Sequence, residues 1–272
     1  MKDKVVVITG ASRGIGRETA KALAKQGAKL VLVVRDEARG REVADEVGGA
    51  ELVIADLSSL ADIRRAAASI LAKHDRVDVL VNNAGALIME RRTTVDGYEA
   101  TFATNHLAYF LLTKLLLPAL ERAPSARVVN VASEAHKAGS IDFDDLMRER
   151  RYSGFEVYGQ SKLANILFTN ELARRLAGTR VTANSLHPGA VASNFGRDNG
   201  RFGFLFKLAA PFMKTSEQGA RTTIFLASSP KVEGVTGKYW KNEREAKPRK
   251  VALNADVAKR LWEVSEKLVE KA

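Results

Sequence analysis

The sequence predicts an α/β fold, a doubly wound parallel sheet of about seven strands with helices on both faces and a single domain over residues 1–272. Two observations carry this expectation. Short β-branched runs alternate with amphipathic helical stretches, and a glycine-rich turn, Thr9-Gly10-Ala11-Ser12-Arg13-Gly14-Ile15-Gly16, follows the first such run. Strands buried on both faces read as continuous apolar runs rather than as alternating ones. Val5-Val6-Val7-Ile8, Leu30-Val31-Leu32-Val33-Val34, Leu52-Val53-Ile54, Val79-Leu80-Val81 and Val128-Val129-Asn130-Val131 have that character. A sixth run extends from Val181 to Leu186, and a seventh is expected near Gly237-Lys238-Tyr239-Trp240. Helices are expected from Arg17 to Gln26, Glu37 to Val47, Leu60 to His74, Tyr98 to Leu117, Tyr158 to about Leu176, and around Glu217 to Ala227.

Composition narrows the class. The chain of 272 residues is 46% hydrophobic and 28% charged, a globular balance that can bury a substantial core. With no cysteine, disulfides, thiolate chemistry and cysteine-ligated zinc are excluded. The start Met1-Lys2-Asp3-Lys4 runs directly into a strand, so neither a signal peptide nor a membrane anchor is expected, and a cytoplasmic location is. The net charge of +11 is scattered along the chain rather than gathered in a tail. No nucleic-acid partner is therefore expected, and part of the excess suits a polyanionic small molecule. His74, His106, His136 and His187 lack metal-ligand spacing, so no metal is expected, and His187 is read as serving the structure of the loop before Pro188.

Two motifs carry chemistry. A glycine turn between a strand and a helix offers backbone N–H groups and the positive end of the helix dipole to an anion. Gly10 permits the tight turn, and Gly14 and Gly16 are expected to let the backbone approach a pyrophosphate. Far downstream, Tyr158-Gly159-Gln160-Ser161-Lys162 places a phenol and an ammonium on one helix face, at i and i+4. An ammonium beside a phenol lowers the pKa that otherwise makes tyrosine a poor base.

Thr9 to Gly16, Asn82-Asn83-Ala84-Gly85, Asn105, Ser133, Tyr158 with Lys162, and Pro188-Gly189 stand in the order seen in the short-chain dehydrogenase/reductase family, which the chain resembles from about Lys4 to Val269. Tyr158 to Asn165 (YGQSKLAN), Leu186 to Val191 (LHPGAV) and Leu261-Trp262-Glu263-Val264-Ser265 resemble the branch with carbonyl reductases, retinol dehydrogenases and the WW-domain oxidoreductase. The gap of 25 positions between Ser133 and Tyr158 holds Ile141-Asp142-Phe143-Asp144-Asp145-Leu146, similar to an insertion in that branch. The resemblance implies a Rossmann-like fold and a nicotinamide-dependent oxidoreductase. It implies Tyr158 as proton donor and acceptor, Lys162 as modulator of its pKa and ribose ligand, Ser133 as hydrogen-bond donor to the substrate oxygen, and Asn105 as holder of a relay water. Cofactor contacts are implied for Gly10, Ser12, Arg13, Gly14, Ile15 and Gly16, for Asp56 and Leu57 at the adenine, and for Asn83, Ala84 and Gly85. Pro188, Gly189, Val191 and Ser193 are implied on the nicotinamide side.

Charge bears on the choice of cofactor. Arg35 stands where an NAD-selective site has a carboxylate, with Arg13 in the glycine turn and Arg39 one helical turn on. These cations favour NADP(H), while Asp36 keeps NAD(H) as the alternative. The stretch from Phe195 to Met213, with Phe202, Phe204, Phe206 and Phe212, is read as an apolar lid over about 193–215. It points to a hydrophobic aldehyde, ketone or alcohol as the small-molecule partner. A peripheral membrane contact and a subunit contact are its alternatives, and both monomer and homo-oligomer stay open. At the level of activity, the alternative is a non-catalytic dinucleotide-binding regulator on the same fold.

Overall fold

A computed structural model of the chain describes residues 1–191 and 213–271. Ser193 and the expected lid, apart from positions 213–215, lie outside the described residues. All the named strands among them join one eight-stranded sheet of order β3-β2-β1-β4-β5-β6-β7-β8. These strands are β1 (Val5–Thr9), β2 (Lys29–Val34), β3 (Glu51–Ile54), β4 (Val79–Asn82), β5 (Ala126–Val131), β6 (Val181–His187), β7 (Tyr239–Lys241) and β8 (Arg244–Ala246). The first seven are mutually parallel, as the apolar runs require. The eighth, absent from the seven expected, pairs antiparallel with β7 through Tyr239↔Ala246 and Lys241↔Arg244. Its sequence, Arg-Glu-Ala, has no apolar run to announce it.

Both faces of the sheet are buried. Val5, Val7, Val31, Val33 and Val53 point into one core, and Val6, Ile8, Leu30, Leu32 and Val34 into the other. The second core is closed by α1 (Gly14–Lys25), α2 (Glu37–Glu46) and α7 (Ser216–Ser228). The larger is closed by α3 (Leu60–Lys73), α5 (Ala108–Glu121), α6 (Gly154–Arg175) and α8 (Ala255–Glu270). Helix α8 buries Ala258, Leu261, Trp262, Ser265 and Val269, a 3–4 spacing that gives one apolar stripe.

The helix expected from Tyr98 is interrupted. It begins as α4 (Ala100–Phe102), widens into a π-turn over Ala103–Leu107, and resumes as α5. Buried Glu99 starts it, its two carboxylate oxygens accepting from the Thr101 and Phe102 N–H groups at 2.9 and 2.6 Å. Helix α6 begins at Gly154, four residues before the expected start. The segment before it braces its first turns: Gln160 donates to the Leu146 carbonyl (2.8 Å) and accepts from Arg148 (2.9 Å). No described helix is long and apolar enough to cross a membrane.

Candidate active site

The carboxyl ends of the parallel strands open into a cleft of about 750 Å³, where the strand order reverses between β1 and β4. Its walls include Gly10, Ser12, Arg13, Gly14 and Ile15 after β1, Arg35, Asp36 and Arg39 after β2, and Asp56 and Leu57 after β3. Asn83, Ala84 and Gly85 follow β4, Ser133 follows β5, and Pro188, Gly189 and Val191 follow β6. Tyr158 and Lys162 reach it from α6. The topology thus gathers residues from the ends of six strands and from α6 into one cavity.

The end under β1 is a backbone cradle. Gly10 has φ +66°, and a Cβ there would strike the backbone of Ala84. Arg13 precedes α1 without making a side-chain cap, so the first-turn N–H groups face the cleft uncapped. Asn83 fixes this turn by donating its amide to the carbonyls of Thr9 (2.9 Å) and Gly10 (3.2 Å). Gly16 is placed differently from the expectation. It is not on the cleft wall, and a Cβ would collide with the Gly10 carbonyl and the Asn83 amide, so its smallness serves the packing of the turn.

Around β2 the guanidinium groups of Arg35 and Arg39 border the cleft. Asp36 is engaged by α2: it caps the helix by accepting from the Arg39 N–H (3.1 Å) and pairs with the Arg39 side chain at 3.3 Å. Asp56 is likewise partly engaged, accepting from the Ser58 N–H and hydroxyl at 2.9 and 2.8 Å.

The other end is built from buried and half-buried polar side chains. Lys162, 3% exposed, donates to the Val131 carbonyl (3.1 Å), and its Nζ lies 5.5 Å from the Tyr158 ring centroid and 5.8 Å from that of Tyr109. Burial pushes the lysine down to about 7. Burial also pushes the Tyr158 phenol up to about 12, against a hydrogen bond from the Ser133 hydroxyl that favours the phenolate. Ser133 is held at its hydroxyl and at its carbonyl. Its Oγ accepts from the Ala135 N–H at 3.2 Å, and its carbonyl accepts from His136 Nδ1 at 2.7 Å, while His136 Nε2 accepts from the Arg249 N–H at 3.1 Å. His187 lines the cleft as a neutral ring, lowered to about 4 chiefly by burial, with Nδ1 accepting from the Glu134 N–H.

Asn105 sits fully buried in the π-turn. Its amide clasps the Ala86 peptide, accepting from the N–H (2.7 Å) and donating to the carbonyl (2.9 Å), and also donates to Ser161 Oγ (2.9 Å). It therefore ties the segment after β4 to α6. Residues beyond the expected set complete the cavity: Leu87, Ile88, Ala135 and Phe155 give it an apolar wall. Phe155, three residues before Tyr158 on α6, is legible by helical spacing; the others have no such signal.

The short chain dehydrogenase family profile matches residues 4–201. The chain belongs to the short-chain dehydrogenase family. Human retinol dehydrogenase 14 is 43% identical over 292 aligned positions, covering 99% of this chain and 87% of that protein. Among solved structures, an uncharacterized protein from Mycobacterium Paratuberculosis superposes with TM-score 0.80 at 37% identity, over 99% of this chain and 94% of that one. The Pseudomonas aeruginosa RhlG/NADP active-site complex superposes with TM-score 0.70 and 28% identity, over 88% of this dehydrogenase and 94% of that chain. The dehydrogenase is an NAD(P)-dependent oxidoreductase of the retinol dehydrogenase-like branch.

Proposed function

We propose that this dehydrogenase interconverts a hydrophobic aldehyde or ketone and its alcohol with NADP(H), Tyr158 giving or taking the proton. The observation that carries the reading is the convergence of Ser133, Tyr158 and Lys162 on the same cleft as the glycine turn and its arginines. The residues fit a phosphorylated dinucleotide: an uncapped helix start and a glycine cradle for the pyrophosphate, Arg13, Arg35 and Arg39 for a 2′-phosphate, and Asp36 turned to its own helix. NADP in the P. aeruginosa complex, on the same fold, agrees with this choice.

When bound, the nicotinamide supplies or accepts the hydride. The chain's own groups handle charge and proton. Tyr158, its phenol pushed up by desolvation in its half-buried setting, donates to the oxygen that gains electrons in the reducing direction. The Ser133 hydroxyl, kept in place by the Ala135 N–H and the His136-held carbonyl, stabilises charge on that oxygen and on the phenolate left behind. Lys162 contributes its positive field beside the Tyr158 ring and returns a proton toward the phenolate. Asn105 holds the Ala86 peptide and α6 in register, so that the proton path is bordered by fixed groups. Leu87, Ile88, Ala135 and Phe155 favour an apolar substrate body next to Tyr158.

The test is consumption of NADPH and NADH by purified protein against a panel of hydrophobic aldehydes, ketones and quinones. Turnover with NADPH well above NADH is the expected result. Tight NADPH binding without turnover on any carbonyl would contradict the catalytic reading and favour a dinucleotide-binding regulator.

A further inference from the structure

The proposed mechanism leaves the cleft-lining imidazole of His187 unused. His187 is the last residue of β6, and the register of the sheet sets the face on which it stands. Ser185 pairs with Tyr239, which packs into the larger core, and His187, two residues on, shares that face. It is the face covered by α6, from which Tyr158 and Phe155 reach the cleft, and His187 lines the cleft with them.

The ring is fixed from one side and open on the other. Its Nδ1 accepts, at 3.3 Å, from the N–H of the peptide that joins Ser133 to Glu134. The Glu134 carboxylate is itself tied down, accepting from the Tyr239 hydroxyl (2.9 Å), Lys137 (2.7 Å) and Lys241 (3.3 Å). Behind the ring, the Ala132 N–H donates to the Leu186 carbonyl at 2.8 Å, and Pro188 keeps the residue before it extended. Burial holds the imidazole neutral, down at about 4, with the Glu134 carboxylate opposing and Lys241, Lys214 and His136 adding to the fall. An imidazole that accepts at Nδ1 carries its proton on Nε2. That Nε2–H has no partner among the described residues and is not sealed from solvent.

We propose that His187 is a specificity-determining residue whose Nε2–H donates to a second oxygen of the substrate, one or two carbons from the reacting carbonyl. The dehydrogenase then favours α-diketones and β-oxo esters over simple ketones of the same size. Reach sets the position of that oxygen. The ring is bonded to the peptide next to Ser133, so Nε2 meets the part of a substrate beside the carbonyl that Ser133 holds. Charge sets its kind. A neutral donor suits a neutral acceptor, and the nearby cations are already engaged, Lys241 by Glu134 and Lys214 by Asn242 at 2.7 Å, so a carboxylate is not the match. The apolar wall of Ile88, Ala135 and Phe155 adds discrimination, because a substrate without the second oxygen covers the N–H and leaves it unpaired. The second oxygen takes no part in the chemistry: the hydride still goes to the carbon and the Tyr158 proton to the oxygen of the reacting carbonyl.

This inference rests on the functional reading above, and its test keeps the two apart. Rates with NADPH are measured for the α-diketone phenylpropanedione and the β-oxo ester ethyl benzoylacetate, each relative to propiophenone, in the unmodified protein, His187→Asn and His187→Gln. Comparing these ratios between proteins cancels the intrinsic reactivity of each carbonyl. Asparagine keeps an acceptor where Nδ1 stands and loses the donor into the cleft, whereas glutamine extends an N–H to where Nε2 stands. In His187→Asn the kcat/KM ratio of at least one oxygenated substrate should fall by roughly 10-fold, with propiophenone and the KM for NADPH unchanged, and His187→Gln should recover most of it. Unchanged ratios for both substrates overturn the proposal. An equal loss on all three carbonyls, or a raised KM for NADPH, assigns the ring to Ser133 or to the nucleotide and also overturns it. Should His187→Asn not fold, the unmodified ¹⁵N-labelled protein with NADP⁺ provides the readout. Its His187 ring should show Nδ1 bare and Nε2 protonated, and the Nε2 resonance should move with phenylpropanedione at a concentration that saturates turnover, but not with propiophenone. No movement, or equal movement with both, overturns the proposal. Absence of turnover by the unmodified protein on every carbonyl overturns the functional reading and this inference together, whereas turnover with unchanged ratios overturns the inference alone.

Discussion

The two ends of the cleft are built on opposite principles. Under β1 and β2 the wall is main chain and solvent-facing cations: an uncapped helix start, glycines packed against β4, and Arg35 and Arg39 at the rim. Under β5 and α6 it is a set of side chains, Lys162 and Asn105 buried and Ser133 and Tyr158 half-buried, each held by a named partner and the two ionisable ones shifted by desolvation. The first end can bind an anion through dipoles and field at little cost to folding. The second keeps groups out of water so that a proton can move between them, and it pays in stability. Binding and chemistry should therefore separate under mutation.

The largest separation is expected at Lys162. A buried ammonium without a counter-charge carries a desolvation cost that an apolar side chain of similar length does not. Lys162→Met should thus raise Tm while lowering turnover by roughly 100-fold or more, the loss of one acid/base partner. Loss of activity with a lowered Tm would show that the ammonium supports the fold instead. At the opposite end, Arg35→Ala with Arg39→Ala should weaken NADPH by roughly 30-fold while leaving NADH and Tm nearly unchanged, since charge-assisted bonds to a phosphate contribute about 1.5–3 kcal/mol. Titration calorimetry with both nucleotides reads this directly, and equal weakening of the two would remove the 2′-phosphate assignment.

Asn83→Ala provides the contrast within that end. It loosens the Thr9 and Gly10 carbonyls rather than removing charge, so NADPH and NADH should weaken together, by up to about 30-fold, for two lost hydrogen bonds of ~1 kcal/mol each. A nucleotide-selective effect would mean that Asn83 touches the ligand. The smallest effect is on stability against pH. The folded-state pKa of Lys162, about 7, lies below its ordinary 10.5, so the unfolded chain binds more protons between those values. That contribution to stability rises with pH from about 7 toward 10 and is lost as pH falls through 7. Denaturant midpoints should show this upward slope in the unmodified protein and less of it in Lys162→Met; identical slopes would place the ionisation elsewhere.

The contrast also explains what was legible. Local signals were sufficient for the seven parallel strands, the glycine turn and the i, i+4 spacing of Tyr158 and Lys162, because apolar runs and helical periodicity are properties of neighbours in sequence. Strand β8 escaped because a three-residue edge strand needs no apolar pattern. Gly16 was read as a ligand contact because the turn motif does not reveal that Asn83, 67 positions away, occupies the space beside it. Asp36 competed on paper with Arg35 for the ribose until its role as the cap of α2 was visible. Asn105 was recognisable as a site residue, but the π-turn that aims it, the buried Glu99 that starts its helix, and the hold of His187 on the Glu134 N–H are all long-range facts.

The central claim is that Tyr158 moves the proton and takes little part in holding the nucleotide. Its direct test is Tyr158→Phe, with NADPH affinity measured by fluorescence titration and turnover measured on the carbonyl substrate found in the panel. Affinity within about three-fold of the unmodified protein and turnover reduced by roughly 1,000-fold are predicted, the upper range for loss of a general acid. Turnover preserved in Tyr158→Phe would contradict the account at its core.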